Sequence, residues 1–303
     1  MSDSFELGFE EGVESTSGVW YRNLQRLGTG GNAVTYLMMA KNGGHQGVSF
    51  AVKIFRRLSR PEWKDGFLRE SEFLKTCSHP AVVRYFDQGV AREQNPFYVA
   101  EYLPRTLREV IRGARSSMTQ KVSFATQLLS AVAYLGSESV GVVHRDIKPE
   151  NIFIKGEAAV LGDFGLVKLL PDIAADIESV KASLGPGMPR NYRTPDLIDY
   201  LQGGPPPTSK SDVYQLGLVF AELFTGRNPQ PPLADGAPIS SPIILDPVGA
   251  VAGENGLFIR ELIQSMLAAN QTEPPAAGQL VDAWQGMFFK VARLSQALEG
   301  RVF

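Results

Sequence analysis

The chain has 303 residues, of which 44% are hydrophobic and 20% charged, with a formal net charge of −2 at pH 7. That length can bury one large core or two smaller ones, and so even a charge balance gives no reason to expect nucleic acid or an anionic membrane surface as a partner. Cys77 is the only cysteine, which excludes an intrachain disulfide, and His45, His79 and His144 are too scattered for a metal-ligand motif.

No basic patch followed by an apolar stretch opens the chain, and no apolar run nears the ~18 residues that cross a bilayer, so the expected setting is reducing and cytoplasmic. Residues 1–18 hold Asp3, Glu6, Glu10, Glu11 and Glu14 with no basic residue, and read as a flexible acidic tail ahead of a domain over 19–303. From Trp20 the pattern is strand-like: "YRNLQRLGTGG" and "AVTYLMMAK" flank a glycine-rich turn, and "GVSFAVKIF" follows. "WKDGFLRESEFLKTC" places Phe67, Phe73, Leu74 and Cys77 at near-helical spacing, before the strand patterns "AVVRYFDQGVA" and "PFYVAEYL".

Beyond Pro104 the balance shifts to helix. "QKVSFATQLLSAVAYLGS", "LFIRELIQSMLAA" and "LVDAWQGMFFKVARLSQAL" are amphipathic, whereas "KSDVYQLGLVFAELFTG" is apolar almost all round and stops on Gly226, as a buried helix would. Short strands are expected at "NIFIK" and "AVLGD". "LQGGPPPTSK" and the longer "NPQPPLADGAPISSPIILDPVGAVAGENG" read as loops.

The densest chemistry lies in "GVVHRDIKPENIFI", residues 141–154, where His144, Arg145, Asp146, Lys148, Glu150 and Asn151 crowd between apolar flanks. Packing alone does not account for such a cluster, since burying unpaired charge is costly. "DFG" begins at Asp163, and "LGTGGNAVTY" and "FAVKIF" stand upstream. Together, in this order and spacing, these motifs resemble the eukaryotic-type serine/threonine protein kinases, from about Tyr21 to about residue 290. Compact form and the lack of a membrane-spanning run make a soluble, bacterial-type or stand-alone member the expectation within that resemblance.

The resemblance implies an α+β fold of two lobes: a small antiparallel sheet lobe with one main helix over 19–102, then a hinge and a larger helical lobe over 103–303. It implies ATP and Mg²⁺ as cofactors, with Mn²⁺ as a substitute. Gly28, Gly30 and Gly31 would bring backbone N–H groups to the phosphates, with Leu27, Ala51, Glu101 and Leu103 also on the ATP side. Lys53 would pair with phosphate oxygens and needs a counter-charge; of Glu70 and Glu72, Glu70 fits the family spacing. Asp146 would take the proton of the attacking hydroxyl, Lys148 would neutralise the transferring phosphoryl group, and Asn151 and Asp163 would be oxygen ligands for the metal. His144 is expected to pack, together with Leu74 and Phe164, and Asp212 to brace the loop backbone. Arg145 and Lys168 would receive a phosphorylated activation segment, with Ser179 and Ser183 as acceptors. Glu150 would face a basic residue of a peptide substrate.

Several positions depart from the family pattern. Ala33 and Thr35 stand where the third loop glycine and a valine are usual, and Ala100 precedes the hinge glutamate, predicting an enlarged pocket behind the adenine site. Met188 or Pro189 replaces the threonine that normally bonds the catalytic Asp and Lys. Thr194-Pro195-Asp196 stands for "APE", and Glu273 for the arginine that normally pairs with its glutamate, so Asp196 and Glu273 would repel. The substrate expected is protein, with no nucleic acid and no membrane insertion, and the long Pro/Gly-rich loops could serve a regulatory partner. Two other readings remain open at this point: a nucleotide-binding pseudokinase scaffold, and a kinase acting on a small-molecule hydroxyl.

Overall fold

A computed structural model describes residues 5–59, 61–113, 116–165, 168–169, 190–230, 243, 245, 254–268 and 275–298. These residues form two compact units, the first built from the chain up to Ser78 together with Val82–Pro104, the second from His79–Ala81 and most of the chain from Arg105 onward.

The first unit is an antiparallel sheet of β1 (Gly12–Glu14), β2 (Trp20–Thr29), β3 (Ala33–Ala40), β4 (Ser49–Phe55), β5 (Tyr85–Ala91) and β6 (Asn95–Glu101), with α1 (Pro61–Thr76) between β4 and β5. Strand order is β1-β2-β3-β4-β6-β5. The alternation read from "AVTYLMMA" and "SFAVKIF" puts Tyr36, Met38, Phe50, Val52 and Ile54 on one face, where they pack with Tyr21, Phe97 and Val99.

From Phe5 onward, the acidic segment expected to be a flexible tail packs with this sheet and supplies its first strand. β1 pairs with β2, Ser15 bridges Gly89 of β5, and the Thr16 N–H donates to the Gln88 carbonyl at 2.8 Å. The sheet therefore curls until its first and last strands meet. Phe5 and Val13 are buried, and Asn23 Nδ2 donates to the carbonyls of Leu7 (3.1 Å) and Gly8 (2.8 Å). Three of its carboxylates stay outward: Glu10 pairs with Arg22, Glu6 with Arg26 and Glu11 with Arg92. Averaged composition concealed the apolar residues that go inward. Gly89 makes the approach possible, because a Cβ there would lie 2.6 Å from the Phe97 ring and 2.9 Å from the Glu14 carbonyl oxygen.

The second unit is mostly helical. β7 (Arg105–Thr106) leads into α2 (Leu107–Gly113) and α3 (Met118–Leu135), and then come β8 (Val142–Val143), β9 (Ile152–Lys155), β10 (Ala158–Leu161) and β11 (Lys168–Leu169). Strands β10, β9 and β7 form one small sheet, and β11 pairs with β8. Helices α4 (Pro195–Leu201), α5 (Ser209–Thr225), α6 (Glu254–Met266) and α7 (Ala277–Leu298) complete it.

Helix α5 is buried from Ser211 to Phe224, as its all-round hydrophobicity predicts, and ends on Gly226 at φ 81°, whose N–H donates to the Glu222 carbonyl. Trp284 of α7 packs against the rings of Phe220 and Phe224 at 5.2 and 5.6 Å. "LQGGPPPTSK" forms the expected connection into α5, with Thr208 as its N-cap. Most of the longer Pro/Gly-rich stretch lies outside the described residues, as does residue Glu273. Among the described residues, no helix is long and apolar enough to cross a membrane.

Candidate active site

The first group of site residues is carried by the sheet. Gly28 lies near the end of β2, paired with Thr35 of β3, and Gly30 and Gly31 form the turn that follows; a side chain at Gly28 or Gly31 would meet open space. The turn's backbone is held by the two residues that follow β4: Arg56 Nη2 donates to the Gly30 carbonyl at 3.0 Å, and Arg57 Nε to the Gly31 carbonyl at 2.9 Å. The Gly30 N–H in turn donates to the Ala33 carbonyl at 2.9 Å, which closes the turn. Leu27 lies at its entrance, partly exposed.

Lys53 projects from β4 to Glu70 of α1, its Nζ 2.8 and 3.2 Å from the two carboxylate oxygens. The Tyr98 hydroxyl donates to the same carboxylate at 2.9 Å, and Glu70 is only 2% exposed. Glu72 instead faces out beside Lys75, 3.5 Å away. The geometry thus selects Glu70 from the two candidates. Ala51 and Ala100 are paired across β4 and β6, and Phe50 is paired with Glu101, whose carboxylate accepts the Arg84 N–H at 3.0 Å. Leu103 comes at the end of this unit, half-buried.

The second group sits in the loop between β8 and β9. Its backbone is gripped by two buried polar side chains of α5, one helical turn apart. Asp212 accepts the N–H groups of His144 (2.8 Å) and Arg145 (2.9 Å), and Gln215 accepts that of Ile147 at 2.8 Å. Gln215 also donates to the carbonyls of Arg145 (3.1 Å) and Tyr192 (3.0 Å). Arg145 is thereby held at φ 68°, a left-handed conformation costly for a side chain of its size.

Within that frame Asp146 receives Lys148 Nζ on both oxygens, at 3.0 and 2.8 Å, and Asn151 Nδ2 at 2.9 Å. Asn151 Nδ2 also donates to the Asp146 carbonyl at 2.8 Å, so the amide nitrogen faces Asp146 and the amide oxygen is the ligand atom it can offer. Burial pushes the Asp146 carboxyl up to about 6 against the opposing pull of Lys148, and it pushes Asp212 up to about 7 against its two N–H donors. His144 packs as expected: its ring lies 4.6 Å from that of Phe164, its Nε2 is 3.1 Å from the Gly162 carbonyl, and burial lowers its pKa to about 4. Asp163 stands at φ 56° and is exposed.

Arg145 is buried, with its guanidinium 5.8 Å from the Tyr200 ring. Ser179, Ser183, Met188 and Pro189 lie outside the described residues, and Lys168 is placed by its backbone alone, opposite Val143. Asp196 is held by hydroxyls. Thr194 Oγ1 donates to it at 2.5 Å and Ser211 Oγ at 3.0 Å, while Thr194 also caps α4.

Two features carry little signal in the sequence. Gln215 is hidden in a helix that reads as apolar, although Asp212, Gln215 and Glu222 mark a polar stripe at helical spacing. Arg108 of α2 joins Glu150 (Nε to Oε1, 2.7 Å), Glu222 and Tyr192 (Nη2 to Oη, 3.3 Å), and Tyr192 bonds Glu222. Burial works against the Arg108 charge, but its bonds to Glu150 and Glu222 outweigh that and raise its pKa further. Nothing local in the sequence joins these four.

Residues 21–282 match the protein kinase domain family, to which this chain belongs. It is 31% identical over 223 residues to a probable serine/threonine-protein kinase of Streptomyces coelicolor, covering 71% of this chain and 31% of that protein. With the serine/threonine-protein kinase PknB of Mycobacterium tuberculosis the identity is 31% over 217 residues, 68% of this chain and 33% of PknB. Serine/threonine-protein kinase A of Synechocystis is 30% identical over 225 residues, 69% of this chain and 41% of its own length. The match thus spans about a third to two fifths of the length of these relatives.

Proposed function

We propose that the chain transfers the terminal phosphoryl group of ATP to serine and threonine hydroxyls of proteins, itself included. The observation that carries this reading is the buried Asp146, oriented by Lys148 and Asn151 on a loop fixed by Asp212 and Gln215. A carboxylate so held accepts a hydroxyl proton in a defined direction, and phosphoryl transfer depends mainly on positioning and electrostatics.

In this reading Lys53, oriented by Glu70, binds phosphate oxygens, while the glycine turn offers backbone N–H groups and Leu27, Ala51, Glu101 and Leu103 surround the base. Lys148 extends its contact from Asp146 to the transferred group. The oxygens of Asn151 and Asp163 suit a hard divalent cation, Mg²⁺ with Mn²⁺ as a substitute, and that cation supplies charge neutralisation on the phosphates. Arg145 and Lys168 receive phosphorylated Ser179 or Ser183. The lone cysteine suits a reducing, cytoplasmic setting, and the long Pro/Gly-rich loops suit a regulatory partner.

Labelled ATP with Mg²⁺, offered to the chain and to Asp146→Asn with a generic protein substrate, tests this. Transfer should fall about 100-fold or more in the variant. Nucleotide binding with no transfer by either protein would make the chain a scaffold, and transfer only to a metabolite would make it a small-molecule kinase.

A further inference from the structure

Arg108, Glu150, Tyr192 and Glu222 come from α2, the turn that carries Asn151, the segment before α4, and α5. One guanidinium faces two carboxylates, so the cluster holds more negative than positive charge. Glu150 Oε2 is buried with no hydrogen-bond partner among the described residues, yet 41% of that side chain is exposed, so the cluster opens to solvent. The opening lies on the turn whose Asn151 bonds Asp146, near where a peptide hydroxyl must arrive.

Two carboxylates beside the reacting hydroxyl are a receptor for a cationic side chain, and guanidinium is the cation that satisfies carboxylate geometry best. Here the chain supplies that cation itself. We propose that Arg108 is a specificity-determining residue, filling in cis an acidic slot formed by Glu150 and Glu222 and so denying it to arginine-bearing peptides. The inference rests on the kinase reading above and deepens it: substrates are chosen without a basic residue at this slot. Glu150, expected to greet a basic substrate residue, is already engaged.

A purely structural bridge from α2 to α5 would be weakened by loss of Arg108 but would gain no ligand. The decisive measurement is calorimetric binding of a tri-arginine peptide to the full chain, to Arg108→Ala, and to Arg108→Ala combined with Glu150→Gln. The single variant should bind about tenfold tighter than the parent, and the second substitution should remove the gain. Arg112→Ala, which changes net charge equally on the same helix, should show no such gain. No gain in a folded Arg108→Ala, a gain that survives Glu150→Gln, or an equal gain in Arg112→Ala each overturns the proposal. Should Arg108→Ala fail to fold, Arg108→Gln replaces it, being neutral but still able to donate a hydrogen bond. Peptide phosphorylation separates the two readings: a binding gain without transfer by any form sinks the kinase assignment alone, and transfer without the gain sinks the slot alone.

Discussion

The side chains of the β8–β9 loop orient one another, Lys148 and Asn151 on Asp146, but the backbone that carries them is held by two residues of α5. Asp212 accepts two consecutive backbone N–H groups, and each lost bond of this kind leaves a buried donor unpaired at ~1–3 kcal/mol. Asp212→Asn replaces one acceptor by a donor, and should lower kcat about 10- to 100-fold with little change in KM for ATP. Steady-state kinetics check it, and a rise in KM alone would refute a positioning role. His144 offers a pH test. Its pKa falls from 6.5 in the unfolded chain to about 4 when buried, so the folded state requires the neutral ring. That contribution is complete above pH 6.5 and is lost as pH falls through that value toward 4, by up to about 3 kcal/mol. Urea unfolding at about pH 7.5 and about pH 4.5 should show a smaller loss for His144→Phe than for the parent, the carboxylates common to both cancelling in the difference.

At the scale of elements, the glycine turn is a product of the residues that follow β4 as much as of its own composition. Arg56 and Arg57 fix its carbonyls, so Arg57→Ala should raise KM for ATP about three- to tenfold and leave kcat within about twofold. Equal losses in kcat and kcat/KM would instead place Arg57 in the chemical step. Helix α4 holds its acidic residue through hydroxyl groups. Asp196 gains the hydroxyls of Thr194 and Ser211, both buried. The repulsion expected between Asp196 and Glu273 involves a residue outside the described ones.

Across the whole molecule, legibility tracked the reach of the interaction. The glycine turn, Lys53, Asp146, Lys148, Asn151 and Asp163 stand in short motifs whose spacing survives in one dimension, and the long helices announced themselves by period. Lys53 and Glu70 meet across 17 positions and were legible only with the resemblance as a guide. Gln215 with the β8–β9 loop, and Arg108 with Glu222 114 positions away, meet only after folding, and the polar stripe on α5 does not name their partners. The acidic segment is obscured for another reason: its carboxylates dominate its composition, while Phe5, Leu7 and Val13 pack against the core. Gly89→Ala probes it directly, because the added Cβ collides with Phe97 and the Glu14 carbonyl. Overpacking of this kind costs about 1–3 kcal/mol. Melting should begin several degrees lower, and a glutamate-specific protease should cleave at Glu10, Glu11 and Glu14 faster. Unchanged melting and cleavage would show that the junction contributes nothing.

That junction also governs what the sheet can recruit. An open margin of unpaired N–H and C=O groups is a template onto which any extended peptide can add itself. Ser15 and Thr16 occupy the rim of β5 at Gly89 and Gln88, so the chain's own leading segment has taken the berth a foreign strand would need. At these two positions a binder must therefore read side chains, whose pattern is specific to this sequence, and not backbone, which every protein shares.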